Sequence, residues 1–215
     1  MIEQPVNYSA DEKTLIAPFL SLTTKEMDAG YWSHDDLADL KSRVKTYYIL
    51  SQKRRCCYCD RHLATDNHRA WDVEHIAARD DYPHFMFEPQ NLAASCIDCN
   101  LRKSTKDPYL NKNALINKRR KKYPNRSEDF RLVHPHFDTY KVHIYRNDMV
   151  YLGKTPKGKA TIYACDLLRF AEKYIDWPNV ISDVRFEDEV EEVLKETGIR
   201  SEAAVDDIVA LLPTA

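Results

Sequence analysis

Cys56-Cys57-Tyr58-Cys59 and Cys96-Ile97-Asp98-Cys99-Asn100 bracket the stretch Trp71-Asp72-Val73-Glu74-His75-Ile76, and these three segments decide the reading of the chain. Cys56 and Cys59, and again Cys96 and Cys99, are separated by two residues, with 36 residues between the pairs. Two intervening residues let both thiolates of a turn face one metal ion. A second such turn completes a tetrahedral shell of four sulfurs. This spacing predicts a structural Zn²⁺ site, with an iron–sulfur cluster as the main competitor. A shell closed by four cysteines holds the fold and does no chemistry. Cys57 and Cys165 are left over. Cys165 reads as a small buried hydrophobe, and Cys57 has poorer spacing for the metal than its neighbours.

Outward from the cysteines, residues 56–108 are rich in Asp, Asn, His and Pro and weakly periodic, as in a small fold organised by metal. Upstream, residues 10–20 and 34–53 read as helices. The second has Ser33 as N-cap, Asp35 and Asp36 in its first turn, and Leu37, Leu40, Val44, Tyr47, Tyr48 and Leu50 at helical spacing. It closes on Lys53-Arg54-Arg55, cations suited to the negative end of the helix dipole. Downstream, 139–145 and 149–152 read as a β-hairpin turning at Arg146-Asn147-Asp148. Helical patterns return at 164–176, 181–197 and 201–212. The expected organisation is an N-terminal helical segment (1–53), a zinc-bearing core with a basic extension (54–126) and a C-terminal hairpin and helices (127–215).

The whole chain has 215 residues, 43% hydrophobic and 31% charged, with 4 Gly and 10 Pro. This composition excludes a disordered or low-complexity protein. No apolar run approaches the roughly 18 residues of a membrane span, and the N-terminus carries no export signal, so a cytoplasmic protein with reduced cysteines is expected. A net charge of −2 conceals strong segregation: −6 over residues 1–40, +10 over 41–126, +2 over 127–175 and −8 over 176–215. The basic central block is the electrostatic footprint of a polyanion-binding surface. The chemistry-bearing residues lie in that block. Glu74-His75, then Asn91-Leu92, then Cys99-Asn100 followed by Lys103 supply a general base for water, oxygen ligands for Mg²⁺ and a basic helix face for phosphates.

Residues 56–106 resemble the HNH endonuclease family, in its subgroup with two zinc knuckles. The resemblance implies an α+β chain built on a zinc-stabilised ββα-metal core, flanked by N-terminal helices and a C-terminal hairpin with helices. It also implies a role for each matching residue. His75 would be the general base, Glu74 a ligand of the catalytic Mg²⁺ or Mn²⁺, Asn91 the residue that orients base and loop, and Asn100 the second metal ligand. Two departures stand out. The common Asp-His pair is Glu-His here, and the usual Gly-Gly loop is replaced by Asp81-Tyr82-Pro83-His84-Phe85-Met86-Phe87-Glu88-Pro89. His84 in that loop reads as a surface histidine or as a phosphate or metal contact. Arg79, Arg102, Lys103, Lys106 and the run Lys118-Arg119-Arg120-Lys121-Lys122 are candidates for phosphate contacts, the run alternatively being a solvated helix end.

These departures, with Cys56-Cys57-Tyr58-Cys59-Asp60-Arg61 and His134-Pro135-His136-Phe137-Asp138, are similar to a narrower group: the HNH subunits of bacterial antiphage systems of the Septu and retron-associated type. That similarity implies DNA as substrate and an ABC/SMC-like ATPase as partner, with a retron reverse transcriptase and its DNA in the retron-associated case. Residues 110–215 would then contain the docking surface. The alternative is a catalytically inactive zinc-knuckle scaffold that binds nucleic acid. The joint presence of Glu74, His75 and Asn100 favours the enzyme, and RNA cleavage is a third reading.

Overall fold

The structure, a computed structural model, describes residues 2–106 and 122–174. The first helix, α1 (Ala10–Leu20), starts where expected for a local reason. Ser9 Oγ accepts from the Glu12 backbone N–H at 3.2 Å, and the Glu12 carboxylate accepts from Ser9 N–H at 2.7 Å. Such a reciprocal cap is worth about 1 kcal/mol. Arg43 Nη2 donates to the same carboxylate at 2.7 Å and clips the next helix to it.

That next helix, α2 (Ala38–Ser51), begins later than expected. Ser33 ends a 3₁₀ turn (Ala29–Ser33) instead of capping α2, and Asp35–Leu37 form a second 3₁₀ turn. The apolar stripe buries Leu37, Leu40, Val44, Tyr48 and Ile49. Beyond Ser51 the chain reverses through Lys53 and Arg54, both in the left-handed region at φ 51° and 56°. This unfavourable pair is held by Arg54 N–H donating to Ile49 O at 2.8 Å. The Gln52 side chain then meets the backbone of Ala94 from both ends, donating to its carbonyl and accepting from its N–H at 2.7 Å each.

Strand β1 (Trp71–His75) pairs antiparallel with β2 (Leu92–Cys96), with Trp71 opposite Cys96 and His75 opposite Leu92. Strand β2 runs directly into α3 (Ile97–Lys103), so a ββα unit forms between the cysteine pairs. The segment that links His75 to Leu92 is held by apolar packing: Ala77, Tyr82 and Phe85 bury against Phe130, with Tyr123 and Phe137 at the edge. His136 anchors the later segment, its Nε2 lying 2.8 Å from Leu92 O. Tyr48 Oη donates to Pro89 O at 2.7 Å and accepts from Val6 N–H at 3.1 Å, so helix α2 ties the N-terminal strap to the loop before β2.

The chain forms two compact units, Met1–Tyr140 and a second beginning at Lys141. The divisions expected at 53/54 and 126/127 fall inside the first unit, because the α2, Phe130 and His136 contacts cross them. Helical turn α4 (Tyr140–His143) replaces the start of the expected hairpin, and the pairing is β3 (Ile144–Asn147) with β4 (Val150–Gly153). Two residues, Asp148 at φ 46° and Met149, make the turn. The expected helix 164–176 is displaced. The chain instead forms α5 (Pro156–Ala164), capped by Thr155, and α6 (Arg169–Tyr174), with Asp166 at φ 50° between them. Gly158 is required in α5: a Cβ there would lie 1.9 Å from His143 O. The expected helices 181–197 and 201–212 lie outside the described residues. The architecture is thus mixed α+β with small antiparallel strand pairs, and among the described residues no helix is long and apolar enough to cross a membrane.

Candidate active site and cysteine cluster

The cysteine spacing read from sequence brings four sulfurs together. The Sγ atoms of Cys56, Cys59, Cys96 and Cys99 all lie within 4.8 Å of one another and are buried. Cys96 sits at the β2–α3 junction and Cys99 in the first turn of α3, while Cys56 and Cys59 occupy the loop after α2. Cys96 N–H donates to Cys56 Sγ at 3.3 Å, and Cys57 N–H to Ala94 O at 3.1 Å, fastening that loop to β2. Burial opposes ionisation of Cys56, yet hydrogen bonds from Cys57, Cys59, Cys96 and Cys99 pull its pKa well below the thiol range. The Cys59 and Cys99 thiols move the other way, chiefly through Cys56. One thiolate is thus stabilised and the next are opposed, so four can coexist only around a cation. This cluster can hold a tetrahedral metal ion.

Beside the cluster, the end of β1 meets α3 at a cleft of about 240 Å³ lined by Glu74, His75, Arg79, Asn100, Ser104 and Thr105 among others. Three expected site residues, Glu74, His75 and Asn100, therefore line one cleft. Glu74 is 2% exposed. Its Oε1 accepts from Lys103 Nζ and from Tyr58 Oη, each at 2.7 Å, while Oε2 makes no hydrogen bond among the described residues. Burial pushes the Glu74 carboxyl above its ordinary range, and the Lys103 ammonium and Tyr58 hydroxyl counter this without cancelling it. A cation at Oε2 would supply the missing compensation. Asn100 Nδ2 donates to Asp72 Oδ2 at 2.9 Å, which leaves the amide oxygen as the end available to a hard cation. A carboxylate oxygen and an amide oxygen are donor types that a hard divalent cation takes, with waters and phosphate oxygens completing its shell.

His75 Nε2 lies 3.1 Å from Met86 O. A carbonyl only accepts, so Nε2 carries the proton and Nδ1 is the lone-pair nitrogen. The ring packs edge-on against Trp32 at 4.7 Å, and burial, then Arg79, lowers its pKa to about 3. The imidazole is neutral at physiological pH. Asn91 is fully buried and acts on the loop rather than in the cleft. Its Oδ1 accepts from Ala77 N–H at 2.7 Å, and its Nδ2 donates to Ala77 O at 3.1 Å and Phe85 O at 3.0 Å. Fixing Phe85 also fixes the adjoining Met86 carbonyl on which His75 leans.

Lys103 requires a correction. Expected among the phosphate contacts, it is 1% exposed, its ammonium shared between Glu74 and His75 O at 2.8 Å. A lysine three residues beyond Asn100 points from α3 back to β1, and the buried carboxylate holds it there. Arg102 and Lys106 are exposed and Arg79 half-buried at the cleft, whereas Lys118, Arg119 and Arg120 lie outside the described residues. His84 rests against the Phe85 ring at 4.0 Å. Sequence reasoning missed Tyr58, Asp72 and Trp32. Strand alternation was the available signal for Asp72, which shares a face with Glu74 two residues on. Nothing local marks Tyr58 or Trp32.

Comparison with known proteins gives one anchor. Septu protein PtuB of Bacillus thuringiensis is 29% identical over 122 residues. The chain is similar to a Septu protein. The similarity covers 57% of this chain but only 40% of PtuB, so the chain spans well under two thirds of that relative. No protein-family model and no solved structure matches. The HNH resemblance therefore rests on the residues and their placement, and the similarity to PtuB stands beside it as a separate observation.

Proposed function

We propose that this chain is a divalent-metal-dependent endonuclease of the HNH type, hydrolysing DNA phosphodiester bonds as the effector subunit of an antiphage defence complex, with a structural zinc in its cysteine cluster. The observation that carries this reading is the convergence of Glu74, His75 and Asn100 on one cleft. The similarity to Septu protein PtuB supports the defence setting.

In this reading Glu74 Oε2 and Asn100 Oδ1 hold Mg²⁺ or Mn²⁺, which would neutralise charge on the scissile phosphate and its leaving oxygen. The chain's own work is the following. His75 Nδ1 takes the proton from the attacking water, and the bond to Met86 O keeps the ring in the tautomer that can do so. Lys103 and Tyr58 hold the Glu74 carboxylate in place without occupying Oε2. Arg79, Arg102 and Lys106 bind backbone phosphates, which positions the nucleic acid without reading its sequence.

Plasmid cleavage with Mg²⁺ or Mn²⁺ tests the reading. Glu74→Gln keeps an oxygen but loses the charge, so the metal concentration for half-maximal cleavage should rise and excess metal should partly restore the rate. Wild type and variant with the same metal dependence would place Glu74 outside the cation's shell.

The partner in this reading is an ABC/SMC-like ATPase, with a retron reverse transcriptase and its DNA in a retron-type setting. The support is charge: the acidic ends, −6 over 1–40 and −8 over 176–215, are unsuited to DNA and suited to a basic protein surface. Deleting residues 180–215, which lie outside the described residues, should abolish co-purification with the ATPase and leave zinc content unchanged. A truncated chain that still co-purified would remove the docking role from this end.

A further inference from the structure

We propose that Asp72 is a positioning residue for metal binding: its carboxylate, 2.9 Å from Asn100 Nδ2, sets the amide so that the oxygen faces the cleft. The inference deepens the reading of Glu74 and Asn100 as the cation's protein ligands and rests on it.

The physical problem is that the two ends of an asparagine amide have nearly the same shape and opposite chemistry. A hard divalent cation takes Oδ1 and is repelled by the NH₂ end. Asn100 is half-exposed on a seven-residue helix, where either orientation can be solvated, so packing alone does not select one. An ionised carboxylate does select. It can only accept, so it binds the NH₂ end, and the reversed amide would set oxygen against oxygen. The bond is also charge-assisted, which makes the selection stronger than a neutral acceptor would.

The fold explains why position 72 can do this. Asp72 and Glu74 are two apart on β1 and share a strand face, and α3 contacts that strand. One carboxylate therefore faces the cleft from Glu74, while the other stands behind Asn100. Asp72 does not itself line the cleft, which separates it from a third ligand. Carboxylates that orient a metal ligand in this way are a general feature of metal sites, and their removal costs about 10–100-fold in metal affinity.

The test is Mn²⁺ binding to the full chain without DNA, followed by electron paramagnetic resonance, with zinc content and thermal melting recorded for each variant. Asp72→Ala should weaken Mn²⁺ binding about 10-fold or more. Asp72→Asn, whose amide can either accept from or donate to Asn100 and so no longer selects one orientation, should also bind Mn²⁺ more weakly than wild type. In an Asn100→Asp background, where both ends of the side chain at that position are oxygens, adding Asp72→Ala should cause no loss. The proposal is overturned if Asp72→Ala or Asp72→Asn binds as wild type does, or if Asp72→Ala still weakens binding in the Asn100→Asp background. Glu74→Ala serves as the separate control: wild-type binding that survives it would overturn the reading of the cleft, and the Asp72 proposal with it.

Discussion

Cys99→Ser, or equally Cys96→Ser, is expected to yield protein that does not fold. The four sulfurs meet within 4.8 Å at the junction of the α2 loop, β2 and α3, so they tie together the elements that carry the cleft. Without a cation, the hydrogen bonds that favour a Cys56 thiolate leave Cys59 and Cys99 opposed to ionisation, and the cluster is a knot of buried polar groups. With Zn²⁺ the four thiolates are mutually compensated, and metal-linked stability on the order of 10 kcal/mol becomes folding free energy. A domain's net stability is about 5–15 kcal/mol, so removing one ligand should consume most of it. The measurements are metal analysis of the purified wild type, expected to give one zinc per chain, and circular dichroism of the serine variants. Zinc-free or iron-loaded wild type would sink the assignment, as would a natively folded Cys99→Ser chain.

His75→Ala should separate chemistry from folding. The ring supplies no sulfur to the cluster, and the loop it leans on is held independently by Asn91. Zinc content and DNA binding should therefore survive, while cleavage falls about 10²–10⁴-fold with loss of the general base. The pH dependence carries further information. Burial lowers the His75 pKa from its usual 6.5 to about 3, so acidification below neutrality should not protonate the base until far below 6.5. Single-turnover cleavage by wild type and variant over a pH series reads both quantities. Equal rates in the two proteins would remove the role assigned to His75.

What the sequence made legible, and what it hid, divides by range. Paired cysteines two residues apart announce a shared metal because the constraint is local, and the same is true of the Ser9–Glu12 cap of α1. Glu74 and His75 are adjacent, and Asn100 follows Cys99 directly, so these three are legible locally, whereas Ser104 and Thr105 at the same cleft carry no such signal. Boundaries set by competition were harder. Helix α2 starts after two 3₁₀ turns because Trp32 and Leu37 are drawn into the core, and α5 begins at Pro156 where Thr155 caps it, a signal that the later apolar pattern obscured. The burial of Lys103 is hidden because a lysine in a basic stretch looks solvated until its partner is known. That partner, Glu74, lies on a different element, far back in the sequence. Tyr58 and Asp72 act through contacts across 16 and 28 positions, Trp32 across a longer span still, and no local pattern reports such contacts.

Tyr58 has a bearing on how this site could be taken apart. It lies between Cys56 and Cys59, and its hydroxyl reaches Glu74 at 2.7 Å. The loop that contributes half of the sulfur cluster thus also contributes a hand that steadies the carboxylate of the cleft. A graft that began at residue 62 would carry β1, β2, α3, the imidazole and the amide into a new host. It would leave behind two thiols of the cluster and that hydroxyl, and Glu74 would arrive buried with Lys103 alone. A portable piece of this site can therefore be no shorter than Cys56 to Lys103, and the Trp32 ring against the imidazole and the Phe130 ring against the loop lie outside even that span.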